Sequence, residues 1–186
     1  MDLFSGAEKM LAMDEAVWMR HANPWSVWSR FLTCVPLLSL AVWSRAWLGW
    51  YSLLPIGLAL FWIWYNPRAF PVPARRDNWA SKGVFGERIF LERRKTDLPS
   101  HHLRTAQVLM AFSFVGAVLW IFGLATLNAW ATVAGIIGVN LPKAWFVDRM
   151  VWIYEDMKDA DPKYAAWLGA PASQQTGASS PRDEMM

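Results

Sequence analysis

Cysteine is almost missing from this sequence. Cys34 stands alone, which excludes a disulfide within the chain and any CxxC metal or redox site, and leaves it as a small packing residue. Histidine is scarce, with only His21, His101 and His102. There is no Walker loop, HExxH, GxSxG or dinucleotide fingerprint. Gly83 and Gly86 in 81-SKGVFGER-88 lack the rest of a P-loop and read as loop flexibility beside an amphipathic interfacial segment. No zinc-finger or RNA-binding motif accompanies the basic pI of about 9.2, so nucleic acid is not an expected partner. Charge itself is missing over three stretches: no Asp, Glu, Lys or Arg occurs from Phe31 to Ser44, from Ala46 to Pro67, or from Thr105 to Pro142.

These uncharged stretches dominate a chain of 186 residues, 55% hydrophobic and 18% charged. A hydrocarbon core about 30 Å thick is crossed by roughly 20 apolar residues in a helix. The second stretch, 47-WLGWYSLLPIGLALFWIWY-65, fits one crossing, and the third is long enough for two, divided by a tight turn at 127-LNAW-130. The first is completed by the residues before it in 18-WMRHANPWSVWSR-30. There Asn23 is a favoured N-cap and Pro24 suits the first helical position. Arg30 falls about two turns inside that helix, from where its stem can snorkel to the headgroups.

The expected fold is all-α: a four-helix transmembrane bundle of two helical hairpins, with an N-terminal amphipathic interfacial helix. The helices are placed at about 24–43, 47–65, 104–127 and 130–147 within a membrane domain spanning 23–157. A cytosolic loop covers 66–103, and 158–186 form a polar, largely disordered tail. Residues 1–22 repeat Leu3, Met10 and Val17, and Phe4, Leu11 and Trp18, at intervals of seven, a stripe suited to lying in the interface. Glu8, Lys9, Asp14, Glu15 and Arg20 break any continuous apolar core there, so no cleavable signal is expected.

Lys and Arg set the orientation. Of 18, only Arg45 falls in a turn between paired helices, and nine lie from Arg68 to Arg104. By the positive-inside rule both termini and the long loop are cytosolic, in the cell (inner) membrane. The tryptophans then cluster at two levels, Trp43, Trp47, Trp50 and Trp130 outside and Trp25, Trp28, Trp62, Trp64 and Trp145 inside, as anchors and packing groups. The pairs Ala131/Gly135 and Ala134/Gly138 are spaced for close helix packing. An offset of 83 residues aligns Ala46-Trp47 with Ala129-Trp130, Leu58 with Leu141 and Trp62 with Trp145, a faint repeat of the hairpins.

The candidate site is a polar set on the cytosolic side: Arg20, His21, Asn23, Asn66, Arg68, Asp77, Asn78, Lys82, Glu87, His101, His102, Asp148 and Arg149, with 155-ED-156 beyond them. Imidazoles at such a place can ligate metal or haem or move protons; capping helix ends and meeting lipid phosphate is the plainer role. Adjacent His101 and His102 point roughly 100° apart on a helix, so at most one is expected to share a site with His21. The loop is expected to pack beneath the bundle, with Arg20 or Arg149 paired to Asp77, Glu87 or Asp148. Asn140, near mid-membrane, needs a partner, and a bond between helices is the ordinary one. Lys143 is read as snorkelling. No catalytic residue and no metal set is assigned, and the cofactor is unknown.

The segments RHANPWSVWSR, WYNPRAFP, DNWASKGVFGER and WFVDRMVWIYEDM together resemble an uncharacterised family of small bacterial and archaeal integral membrane proteins, over roughly residues 17–157. The resemblance implies a multi-pass membrane protein and carries no activity with it. Two classes of function follow. One is a non-enzymatic scaffold, assembly or accessory subunit, partnered by the bilayer and by a second copy or another membrane protein. The other is a membrane enzyme or haem- or metal-binding protein with its site on the cytosolic face, or a small dimeric transporter.

Overall fold

The computed structural model describes residues 14–93 and 98–169. Among them all regular structure is helical, with no strand. The stripe residues Leu3, Phe4, Met10 and Leu11 and the tail beyond 169 lie outside the described residues. Two stretches, Pro24–Arg68 and Ser100–Thr126, are long and apolar enough to cross a membrane.

The first stretch is a hairpin. Helix α1 (Glu15–His21) precedes it, capped by the Asp14 carboxylate accepting from Val17 N. Asn23 and Pro24 then start α2 (Pro24–Ser29), the Asn23 side chain accepting from Trp25 N at 3.0 Å. A π turn at Arg30–Cys34 leads into α3 (Val35–Trp43). Its cause lies just ahead: Pro36 has no N–H for the Leu32 carbonyl and its ring crowds it, so the helix widens. After α4 (Arg45–Leu48) the chain reverses at Gly49, whose φ of 53° favours a residue without Cβ. A 3-10 turn at Gly49–Ser52 enters α5 (Leu53–Tyr65). The two limbs are tied by Trp62 Nε1 donating to Thr33 Oγ1 (2.7 Å) and Asn66 Nδ2 donating to Ser29 Oγ (2.8 Å).

The second hairpin pairs α7 (Ser100–Thr126) with α8 (Ala129–Met157). It turns at Leu127, which adopts a left-handed φ of 54°, and Asn128 caps α8 by accepting from Ala131 N. The helices touch backbone to backbone: a Cβ on Gly116 would lie 2.2 Å from Gly138 C, and one on Gly135 would lie 2.4 Å from Trp120 Cα. Of the small residues singled out in the sequence, Gly135 and Gly138 are therefore contact points. The hairpins are joined to each other by Trp120 Nε1 donating to Ser39 Oγ, Trp43 Nε1 to Thr132 Oγ1, and Arg45 to the Leu124 and Ala125 carbonyls.

Beneath these four limbs lies a cap with a core of its own, and here the sequence expectations need revision. The segment 66–103 is not only loop: α6 (Trp79–Leu91), capped by Asn78, runs through it and packs along α8. Gly83 and Gly86 are helical contact points on α8 and do not mark a flexible loop. Helix α8 also runs about ten residues past the expected end at 147, because Asp148 and Arg149 close its apolar stretch without breaking the helix. Met150, Ile153 and Tyr154 beyond them are fully buried. The short α9 (Pro162–Ala166) adds Tyr164 and Trp167 to this core, and α1 adds Trp18. The described end of the N-terminal segment thus buries Val17, Trp18 and His21 against protein.

Burial separates the two levels. In the cap, Phe85, Ile89, Phe90, Met150 and Tyr154 are inaccessible. Along the hairpins large apolar side chains face outward: Leu32, Leu40, Leu54, Phe114 and Leu141 are all more than half exposed, and Trp50 and Trp130 are 87% and 85% exposed. A monomeric soluble protein does not normally present so continuous an apolar surface.

Candidate functional site

Where cap meets bundle lies a partly open cavity of about 280 Å³. Every limb contributes to its wall: His21 from α1, Val27 from α2, Arg30, Phe31 and Cys34 from the π turn, and Val35 and Leu38 from α3. Ile63 comes from α5, Val84 and Glu87 from α6, Trp120 from α7, and Val139, Asn140, Lys143 and Val147 from α8. The wall is mostly apolar, and its polar members are His21, Arg30, Glu87, Asn140 and Lys143.

Two of these five are engaged with each other. Lys143 Nζ donates to Glu87 Oε1 at 2.8 Å and sits over the Phe146 ring. Burial would raise the pKa of Glu87, but the charge and hydrogen bond of Lys143, helped by Arg30, outweigh it and hold the carboxyl below its usual range. His21 is fixed from the other side: its Nδ1 lies 2.8 Å from Ser26 Oγ, which in turn donates to Asn66 Oδ1 at 3.4 Å. With the Ser26 proton committed to Asn66, Ser26 Oγ accepts from His21 Nδ1, and His21 Nε2 is left as an acceptor. Burial, reinforced by Arg30, pushes the His21 pKa down to about 3, so the ring is neutral at physiological pH. Neither Arg30 nor Asn140 makes a side-chain hydrogen bond or ion pair among the described residues. The expected bond from Asn140 to a neighbouring helix is therefore not seen among them.

The sequence-derived polar set divides into groups. His21, Asn23, Asn66 and Asn78 form a hydrogen-bonded floor: Asn23 Nδ2 donates to the Pro71 carbonyl (3.0 Å), Asn78 Nδ2 to Ser81 Oγ (2.9 Å), and Ser81 Oγ to the Ala22 carbonyl (2.6 Å). The segment 66–93 thus folds back under the hairpins. Asp77 and Glu87 pair with lysines, not arginines: Lys82 bridges Asp77 (2.5 Å) and Glu155 (2.6 Å), which raises its pKa through those hydrogen bonds. Arg149 does lie by Asp148, at 3.4 Å, while Trp79 Nε1 donates to the same carboxylate and Arg149 Nε is buried without a partner among the described residues. Arg20 is exposed and has no ion pair among the described residues. Arg68 lies over the Trp64 ring, 4.3 Å from its centre.

His101 and His102 are not among the residues that line the cavity. Their rings, expected to diverge, approach to 4.1 Å between centres, and His102 Nε2 lies 2.8 Å from Asp156 Oδ2. One ligand atom from each of these three side chains falls within 4.8 Å of the others, a set that could hold a metal ion. Sequence reasoning placed Asp156 on the same cytosolic side as the histidines but did not join it to them, because 54 residues separate it from His102.

It also left Arg30, Asn140 and Lys143 out of the candidate site. The signals were present, since each is a polar residue flanked by apolar ones. Snorkelling and helix pairing explained them equally well until the cavity showed what they face.

The chain matches no curated protein and no solved structure. Residues 5–172 match the family described as "Family of unknown function (DUF6653)". That match takes in the described hairpins, the cap and the cavity between them, and the chain belongs to this family.

Proposed function

We propose that this chain is a four-span integral membrane protein that acts as a non-enzymatic binding subunit, holding an amphipathic small molecule in the cavity between bundle and cap. One observation carries the binding reading: Arg30 and Asn140, two strongly polar side chains on otherwise apolar limbs, face a cavity and make no side-chain hydrogen bond or ion pair among the described residues. A polar group left unpaired at membrane depth is costly, and a ligand that pairs with it recovers that cost. A cavity near the lower end of the usual ligand-site range, mostly apolar with a few convergent polar groups, is the form such sites take. If a ligand occupies it, protein washed in detergent should retain an extractable amphiphile, seen by mass spectrometry in near-stoichiometric amount. Val139→Trp, which fills the cavity, should lose that amphiphile. Retention of no molecule by the wild type, or equal retention by both proteins, would sink the binding reading.

The membrane reading rests on the outward-facing apolar side chains and on the distribution of Lys and Arg. It places the cap and both termini in the cytosol and the turns near Arg45 and Asn128 outside the inner membrane. In a Cys34→Ala background, Ala46→Cys and Ala129→Cys should react with an impermeant maleimide on intact cells. Asp159→Cys should react only after permeabilisation, and the reverse pattern would invert the orientation.

A second reading, a metal-holding membrane protein, has His101, His102 and Asp156 in its favour. Imidazole and carboxylate donors suit zinc, and the ion would take the place of the hydrogen bond between His102 Nε2 and Asp156 Oδ2. Under this reading, protein purified without chelator carries zinc by elemental analysis and His102→Ala removes it. Equal metal in both proteins counts against it.

A further inference from the structure

Resting on the binding reading above, we infer that the occupant of the cavity is an anionic amphiphile. Its carboxylate or phosphate head is taken by Arg30 and Asn140, and its apolar chain lies along Phe31, Val35, Leu38 and Val139. Charge in the cavity makes the argument. Glu87 is tied to Lys143 by their 2.8 Å ion pair and His21 is neutral, so Arg30, which acts on Glu87 only through space, is the one charge on the wall with no ion pair of its own among the described residues. A guanidinium offers several coplanar donors suited to carboxylate or phosphate oxygens and has no acceptor of its own. Asn140 adds an amide donor, and the Glu87 carboxylate disfavours an anion on its own side of the cavity. The head is thereby confined to the Arg30 side.

The backbone supports the same placement. Arg30 opens the π turn Arg30–Cys34, so the widened part of the helix carries Arg30, Phe31 and Cys34 together into the wall. Such π turns recur at functional sites. Apart from neutral His21 and the Glu87–Lys143 pair, the remaining wall is mostly apolar, which disfavours a small hydrophilic anion as the occupant. It also adjoins outward-facing apolar limbs, so an amphiphile can enter from the lipid.

The probe is a photoreactive sixteen-carbon fatty acid, an ordinary chain length chosen for the assay and not read from the cavity. Protein in phosphatidylcholine nanodiscs is labelled, and the modified peptides are located by mass spectrometry. Saturable labelling is expected within 27–38 and 139–147. Oleate and dodecyl phosphate should compete, whereas oleyl alcohol and inorganic phosphate at equal concentration should not. Arg30→Gln should weaken labelling about tenfold, the effect of losing a charge-assisted hydrogen bond, and Arg30→Lys less. Should Arg30→Gln fail to give a monodisperse protein, the competition series on the wild type still decides. Equal competition by oleyl alcohol would overturn the anionic head and leave the binding reading standing. Competition by inorganic phosphate alone would replace the amphiphile with a free anion. Absence of saturable labelling at these peptides would overturn this inference alone if an amphiphile still co-purifies, and both readings if none does.

Discussion

Gly86→Ala should destabilise the protein by about 3 kcal/mol or more, enough to deplete folded material. A Cβ at position 86 would lie 1.8 Å from the Met150 carbonyl oxygen and 2.5 Å from its carbon. Both are backbone atoms of α8, so no side chain can rotate away. Helices α6 and α8 would have to separate, opening the contacts of Phe85 and Phe90 with Tyr154 and Phe146. Gly57→Ala is the control: nothing lies within 4 Å of its added methyl, and alanine favours a helix by up to about 1 kcal/mol over glycine. Melting in detergent, followed by size-exclusion chromatography, should show a sharp loss for Gly86→Ala and no loss for Gly57→Ala. Equal melting temperatures would mean that α6 does not sit on α8 as described.

Acid should loosen the site in a defined window. His21 is held neutral with its pKa lowered from 6.5 to about 3, chiefly by burial and then by Arg30, against the opposing pull of Glu87 and with Lys143 adding to the depression. The unfolded chain takes up this proton below its ordinary pKa, whereas the folded chain does so only near 3. Stability is therefore full above 6.5 and falls as pH drops towards 3, by about 2 kcal/mol between pH 7 and pH 5. Glu87, whose folded pKa is also lowered, adds a separate loss below the ordinary carboxylate range. His21→Asn keeps an amide near the position of Nδ1 and cannot titrate. Its melting temperature should start lower but change less between pH 7 and 5 than that of the wild type. Parallel curves for the two proteins would show that His21 is not the group responsible.

Local chemistry was readable wherever neighbouring residues decide the outcome. Asn23-Pro24 and Asn128 start helices because an amide cap and a preset φ act within one turn. The turn expected at 127-LNAW-130 lies at Leu127-Asn128, whereas the first hairpin, expected to turn at Arg45 before a helix from 47, stays helical through Leu48 and reverses at Gly49, where a positive φ favours a residue without Cβ. The end of α8 was misplaced for a related reason: charges at 148 and 149 mark where an apolar surface stops, not where backbone hydrogen bonding stops. The buried helix α6 was hidden by glycines that resemble a loop in sequence. They are glycines because α8 passes too close for any Cβ.

The sequence by itself determined an all-helical chain with long apolar limbs and polar ends, because hydrophobic period and capping act over a few residues. Only the tertiary structure decided which polar residues share a site. Glu87 meets Lys143 across 56 residues, and Arg30 and Asn140 reach one cavity from separate hairpins. Such meetings depend on how helices cross and on which glycines let them touch. Those are properties of packed surfaces, and no single stretch of the chain carries them.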